Sequence, residues 1–248
     1  LTRGGHPVIV YDSAGNYLRS WGEGLFDFPH GISIGPDESV YCTDNVDHTV
    51  RKFTLDGKLL MTLGTKGRAA PLMSGEPFNG PTQAVADPRN GNIYVADGYG
   101  NARVHKYTPD GKYMSSWGEP GTGPGQFNTV HTIAIDADGW LYVADRENHK
   151  LQVFDTDGRF ETQWNANMAR PTGIHIEGGA EAKVYISEFF CGSPGDVMGT
   201  DLGPRVSIYG ANGDLKAQLG RQSPGGDAGQ FFAPHAIAVD SRGDIYVA

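Results

Sequence analysis

A single template that recurs at a period of about forty residues constrains this chain more than any other feature. It reads FPHGISIGPDESVYCTDNVDHTVRKFTLDGKLLMTLG, GPTQAVADPRNGNIYVADGYGNARVHKYTPDGKYMSSWG, TVHTIAIDADGWLYVADRENHKLQVFDTDGRFETQW, and RPTGIHIEGGAEAKVYISEFF continued by RVSIYGANGDLKAQLG. Within each unit, alternating runs such as IAID, LYVAD, LQVFD and FETQW are separated by Asp-Gly or Asn-Gly pairs suited to hairpin turns. Each unit therefore reads as four antiparallel strands, and no helical periodicity competes with that reading. The 36 glycines and 15 prolines recur at these turns and form no low-complexity tract.

Repeated four-stranded units imply radial sheets around a channel, with the first strand of each unit on the axis. The repeat resembles NHL motifs, which predicts an all-β, six-bladed NHL-type β-propeller forming a single domain over residues 1–248. Complete blades are expected at about 27–64, 78–118, 127–165 and 169–220. The head, PVIVYDSAGNYLRSWG within residues 1–24, supplies the last two strands of a blade. The tail, FAPHAIAVDSRGDIYVA within 231–248, supplies the first two of another. Head and tail could pair to close five blades. In the six-bladed arrangement each belongs to its own incomplete blade, which leaves a seam to be covered or an exposed edge.

A formal net charge of -9 and a pI near 5.3 argue against a surface built to neutralise phosphates or anionic lipid, so no nucleic-acid or membrane partner is expected. No apolar run reaches the length of a membrane span, and the opening LTRGGHPVIVYD carries no signal-peptide pattern. Cys42 and Cys191 suit no metal motif and cannot make a disulfide framework; both are expected to be buried structural thiols.

Aligned starts of the inner strands read PHG (29–31), PTQ (81–83), VHT (130–132), PTG (171–173) and PHA (234–236). The second position alternates His30, Thr82, His131, Thr172, His235. Equivalent positions face one level of the channel, so alternate blades of a six-fold ring would turn these three imidazoles toward a common point. Three histidines with an open fourth position form a catalytic-zinc arrangement, and iron or copper could use the same set. A histidine that merely bonds neighbouring backbone explains any one of them, but not three in register. His48, His105, His149 and His6 fall outside that register and are expected at the surface. His175, three residues beyond Thr172, is expected to be packed.

An acid closes every second strand: Asp44, Asp97, Asp145 and Glu188. Recurrence in every complete unit argues for a structural role, accepting turn N–H bonds. The segments that follow differ, DGYGNARV in one blade and DRENHKLQV in the next. They place Tyr99 and Arg146 on loops leaving the second strand, within reach of a ligand at a metal-side mouth.

The stretches TRGGH, FPHGISI, VADGYGNARV, VADRENHKLQVF and FAPHAIAV, spread over nearly the whole chain, resemble the peptidyl-α-hydroxyglycine α-amidating lyase family. That resemblance implies zinc at His30, His131 and His235, a base at Tyr99, and guanidinium contacts to substrate from Arg3 and Arg146. It implies a monomer acting on a small molecule or a peptide C-terminus, cleaving the N–Cα bond of an α-hydroxyglycine to an amide and glyoxylate, and it points outside the cytoplasm. Animal members carry Met before the last Pro-His and Asp after it, where this chain has Ala233 and Ala236; calcium, which that Asp helps to hold, is therefore less secure than zinc. The competing reading is a non-catalytic NHL-propeller binding module. A calcium-dependent lactonase-like hydrolase would want carboxylates on the axis and ranks last.

Overall fold

The computed structural model describes residues 5–179, 182–191, 202–220 and 224–248. A two-stranded head, β1 (Val8–Tyr11) and β2 (Tyr17–Trp21), precedes four antiparallel meanders. These are β3 (Pro29–Ile34), β4 (Val40–Asp44), β5 (Thr49–Phe53) and β6 (Leu59–Leu63); then β7 (Pro81–Ala86), β8 (Ile93–Asp97), β9 (Arg103–Tyr107) and β10 (Tyr113–Trp117). A short parallel pair, β11 (Glu119–Pro120) and β12 (Gln126–Phe127), leads to β13 (Val130–Ile135), β14 (Leu141–Asp145), β15 (Lys150–Phe154) and β16 (Phe160–Trp164). The last meander is β17 (Arg170–Glu177), β18 (Lys183–Phe189), β19 (Arg205–Gly210) and β20 (Leu215–Leu219), followed by the tail pair β21 (Ile237–Val239) and β22 (Ile245–Val247).

Burial follows radial position. The second strands β4, β8 and β14 are buried at every residue because a neighbouring sheet covers each face. The outermost strands β10 and β20 are mostly or wholly exposed. The apolar core accordingly lies between blades. Phe127, Ile133, Leu141 and Phe154 pack with Tyr94 and Val104, while Leu151 and Trp164 pack with Ile186 and Tyr209. Outer turns lock these contacts: Gly57, Gly158 and Gly213 hold left-handed backbone, and a Cβ on them would lie within 2.6 Å of Trp21, Trp117 and Trp164 of the preceding sheet.

Head and tail form separate two-stranded sheets, so the five-bladed closure by head-to-tail pairing is not what this chain adopts. Their packing partners explain why. Val8 and Val10 join Trp21, Val40, Cys42 and Phe53 against the first meander, whereas β21 lies on β17 at the far end of the series. The arrangement leaves one apolar face uncovered. Ile32 and Ile34 of β3 are 53% and 63% exposed, while Ile133, the counterpart of Ile32 in β13, is 1% exposed.

The recurrent acids are structural, as expected, and each ties down the segment that leads into its own inner strand. Asp44 accepts the N–H groups of Asp27 and Phe28, Asp97 that of Asn79, Asp145 that of Asn128, and Glu188 that of Ala169. Glu188, fully buried, also pairs with Arg205 at 3.2 Å. Removing one partner of a buried pair strands the other. Glu188→Ala is therefore expected to cost about 3–5 kcal/mol and to lower the melting temperature by roughly 6–20 °C in a calorimetric scan.

Two expectations about histidines are corrected. His105 is fully buried, its Nε2 3.2 Å from Asp97, because the third strand turns this polar position onto the buried acid of its own blade. His149 is also buried, its Nδ1 3.3 Å from the Cys191 thiol. His48 is half-buried and its Nδ1 accepts the Gly80 N–H, while His6 is exposed. His175 is half-buried against the Tyr185 ring, and Cys42 and Cys191 are both buried, as their sequence settings suggested.

Candidate metal centre

The three in-register histidines converge on the axis. Their ring centroids are 4.6–5.0 Å apart, and one nitrogen from each lies within 4.8 Å of the other two. They form the one group of three or more histidine, cysteine, aspartate or glutamate ligand atoms in metal-binding proximity among the described residues. His30 and His131 sit at the second position of β3 and β13. His235 lies two residues ahead of β21, its backbone N–H bonded to the Ala248 carbonyl at 2.6 Å.

The histidines and threonines of the series share one structural role. From His30 to Thr172, each second-position side chain reaches the inner strand of the next blade: His30 Nδ1 lies 2.7 Å from the Thr82 carbonyl, and Thr82 Oγ1 donates to the Val130 carbonyl at 2.8 Å. His131 Nδ1 then lies 2.7 Å from the Thr172 carbonyl, and Thr172 Oγ1 donates to the Pro234 carbonyl at 2.7 Å. A carbonyl can only accept, so Nδ1 carries the proton in His30 and His131. Nε2 is left as a lone-pair donor aimed at the axis, the usual way a protein sets a metal-binding tautomer. His131 is fully buried, and burial, then the charges of Arg146, His30 and His235, hold its pKa well below the ordinary imidazole value. It is neutral near pH 7, as a ligand must be. The donor set, three imidazoles converging on the axis, fits zinc.

Tyr99 and Arg146 come to the same place. The Tyr99 hydroxyl is 2.9 Å from His30 Nε2 and 3.2 Å from His131 Nε2. Its loop is pinned by Tyr99 N–H to the Gly80 carbonyl and Gly100 N–H to the Asn79 carbonyl. Arg146 opens a one-turn 3₁₀ helix, Arg146–Asn148, whose first backbone N–H bonds the Thr129 carbonyl. Its guanidinium lies 5.7 Å from the centre of the Tyr99 ring. These groups line a pocket of about 420 Å³ with Phe28, His30, Phe189 and His235. Arg3, the second expected guanidinium, lies outside the described residues.

Glu147 was not anticipated. Its carboxylate accepts Arg146 Nε at 2.7 Å and Arg170 Nη2 at 2.5 Å. Burial pushes this carboxyl up, but the bonds and charges of Arg170 and Arg146 hold it below the usual glutamate range. Arg146 is thereby gripped from the side. Its two terminal nitrogens make no hydrogen bond with any described residue, and the residue lines the pocket. An acid next to an arginine in the DREN turn was the available signal, but only the contact with Arg170, 23 residues away, gives it meaning.

Four meanders and two flanking strand pairs around an axis that gathers three imidazoles make this an NHL-type six-bladed β-propeller. A family model described as a 6-bladed beta-propeller, DUF5128, matches residues 86–170. Human NHL repeat-containing protein 3 is 36% identical over 170 residues, 64% of this chain and 48% of that protein. Drosophila melanogaster peptidyl-alpha-hydroxyglycine alpha-amidating lyase 1 is 30% identical over 268 residues, 97% of this chain and 46% of that protein. A solved streptogramin B lyase shares the fold, with a TM-score of 0.62 at 16% identity over 95% of this chain and 66% of that one. The chain belongs to the NHL-repeat propellers of the peptidyl-α-hydroxyglycine α-amidating lyase family. It spans about half the length of the human and fly relatives.

Proposed function

We propose that this propeller is a zinc-dependent carbon–nitrogen lyase that cleaves the N–Cα bond of an α-hydroxyglycine-type substrate, giving an amide and glyoxylate. The observation that carries the reading is the position of the Tyr99 hydroxyl between two convergent imidazoles, beside an arginine that lines the same pocket. Bound zinc supplies Lewis-acid stabilisation of developing negative charge at the substrate hydroxyl. Arg146 takes the substrate carboxylate through its paired terminal nitrogens, and Glu147 fixes the orientation of that fork. Arg3 is the second guanidinium of this proposal. Tyr99, as phenolate, removes the hydroxyl proton; the O–H electron pair becomes the carbonyl π bond of glyoxylate, the C–N bond breaks, and the departing amide nitrogen takes up a proton.

Zinc suits this site better than calcium. The channel on the far side of the histidines, about 90 Å³, is lined by groups such as Thr82, Gln83, Thr132 and Ala236, with no carboxylate side chain in its lining. Within it, Gln83 Nε2 donates to the Ile32 carbonyl at 3.1 Å.

The deciding experiment supplies an N-blocked peptide ending in α-hydroxyglycine to zinc-loaded protein and measures glyoxylate. Release at a rate proportional to enzyme is expected; a zinc-replete protein releasing none would sink the activity. The match to NHL repeat-containing protein 3, whose name states no reaction, favours a second reading as a binding module. Under it no stoichiometric metal is found, and Arg146→Ala leaves function intact.

A further inference from the structure

Beside the metal-side pocket lies a second cavity of about 210 Å³ that shares one wall with it, the side chain of Tyr99. Its remaining lining is neutral: Met73, Pro120, Phe127, Thr122 and Asn128, with glycine backbone between them and no charged side chain. The two pockets differ sharply in chemistry, since the first holds Arg146, His30 and His235.

The walls of the second pocket are built from loops tied to the loops that bear Tyr99 and Arg146. Met73 N–H bonds the Gly100 carbonyl at 2.9 Å, one residue beyond Tyr99, and Gly75 N–H bonds Asn101 Oδ1 at 3.1 Å. On the opposite wall, Asn148 Nδ2 donates to the Gly121 carbonyl and Lys150 Nζ to the Thr122 carbonyl, both at 2.8 Å. Met73 has left-handed backbone, φ 52°, a conformation a side-chain-bearing residue holds only when its surroundings enforce it. It is nonetheless 47% exposed, so an apolar side chain stands at the rim without being used in the core.

We propose that this cavity is the subsite for the residue preceding the hydroxyglycine, and that it selects an apolar side chain there. The inference rests on the lyase reading for the direction of the substrate. With the carboxylate on Arg146 and the reacting hydroxyl at Tyr99, the acyl side of the scissile bond extends away from Arg146, and the uncharged cavity adjoins Tyr99. An apolar side chain gains by leaving water against Met73 and Pro120, whereas a charged one loses hydration with no partner in the lining.

The test measures calorimetric binding of the unreactive peptides acetyl-Phe-Gly, acetyl-Asp-Gly and acetyl-Lys-Gly to zinc-loaded protein, with glyoxylate release from N-acetyl-α-hydroxyglycine assayed in parallel. The Phe peptide is expected to bind at least about 10-fold more tightly than either charged one. Met73→Lys should shift the preference toward Asp by about 10-fold and Met73→Glu toward Lys by a similar factor, both with wild-type metal content. Equal binding of the three peptides, or charge variants that leave the ratios unchanged, overturns the subsite. Glyoxylate release without side-chain preference removes the subsite alone. Preference without glyoxylate release removes the lyase reading alone, and failure of both removes both.

Discussion

His131→Ala is expected to empty the axis of metal while the propeller stays assembled. Wild-type protein purified without chelators should carry about one zinc per chain, and the variant less than about one tenth of that, by elemental analysis. Loss of an outer partner of a metal ligand typically costs roughly 10–100-fold in affinity, and loss of one of three ligands costs more. The folded state should survive, because the direct structural loss is one cavity and one hydrogen bond to the Thr172 carbonyl, which keeps the Thr132 hydroxyl as a donor, about 1–3 kcal/mol against a typical total of about 5–15 kcal/mol. Added zinc should raise the melting temperature of the wild type and leave that of the variant unchanged, since only a chain that binds the ion gains from it. His175→Ala is the control: that imidazole packs on Tyr185 away from the convergent set, so zinc content should not change. Retention of full zinc by His131→Ala would remove the metal centre from this account.

Tyr99→Phe is expected to lower kcat for glyoxylate release by about 10²–10⁴-fold, the usual contribution of a positioned base, with zinc content preserved. The substitution is narrow. It removes one oxygen from between His30 and His131, while the ring stays beneath the Arg146 guanidinium as the wall between the two pockets. The effect should therefore fall on kcat and leave KM within a few fold. An unchanged kcat would exclude Tyr99 as the base, and loss of zinc together with activity would make it a ligand instead.

Much of this was legible in the sequence because a propeller repeats its solution. The Asp-Gly or Asn-Gly turns, the buried LYVAD-type strands and the acid that closes each of them occur in four copies, so register could be read by aligning the copies, and the alternation His30, Thr82, His131, Thr172, His235 emerged from it. What repeats imperfectly was harder to read. His105 looked like a surface histidine because the corresponding position holds Arg51 in one blade and Gln152 in another. All three are polar and all three serve the interior, turned toward acidic groups of their own blade: Asp97 for His105, Asp47 for Arg51 and Asp145 for Gln152. Glu147 and Met73 were invisible for a different reason. Their roles come from loops that meet across blades, and loop contacts carry no periodic signature.

The run of bonds from His30 to Thr82, Val130, His131, Thr172 and Pro234 points one way around the axis, each inner strand hooked to the next. The spacing of the three imidazoles is thus the sum of blade-to-blade steps, and no single loop sets it. Affinity for the ion becomes a caliper of the ring. A change in the apolar layer between two outer strands, far from any ligand, alters the step between two blades and so widens or narrows the ligand triangle. Drift in the outer blades is constrained through the axis they enclose.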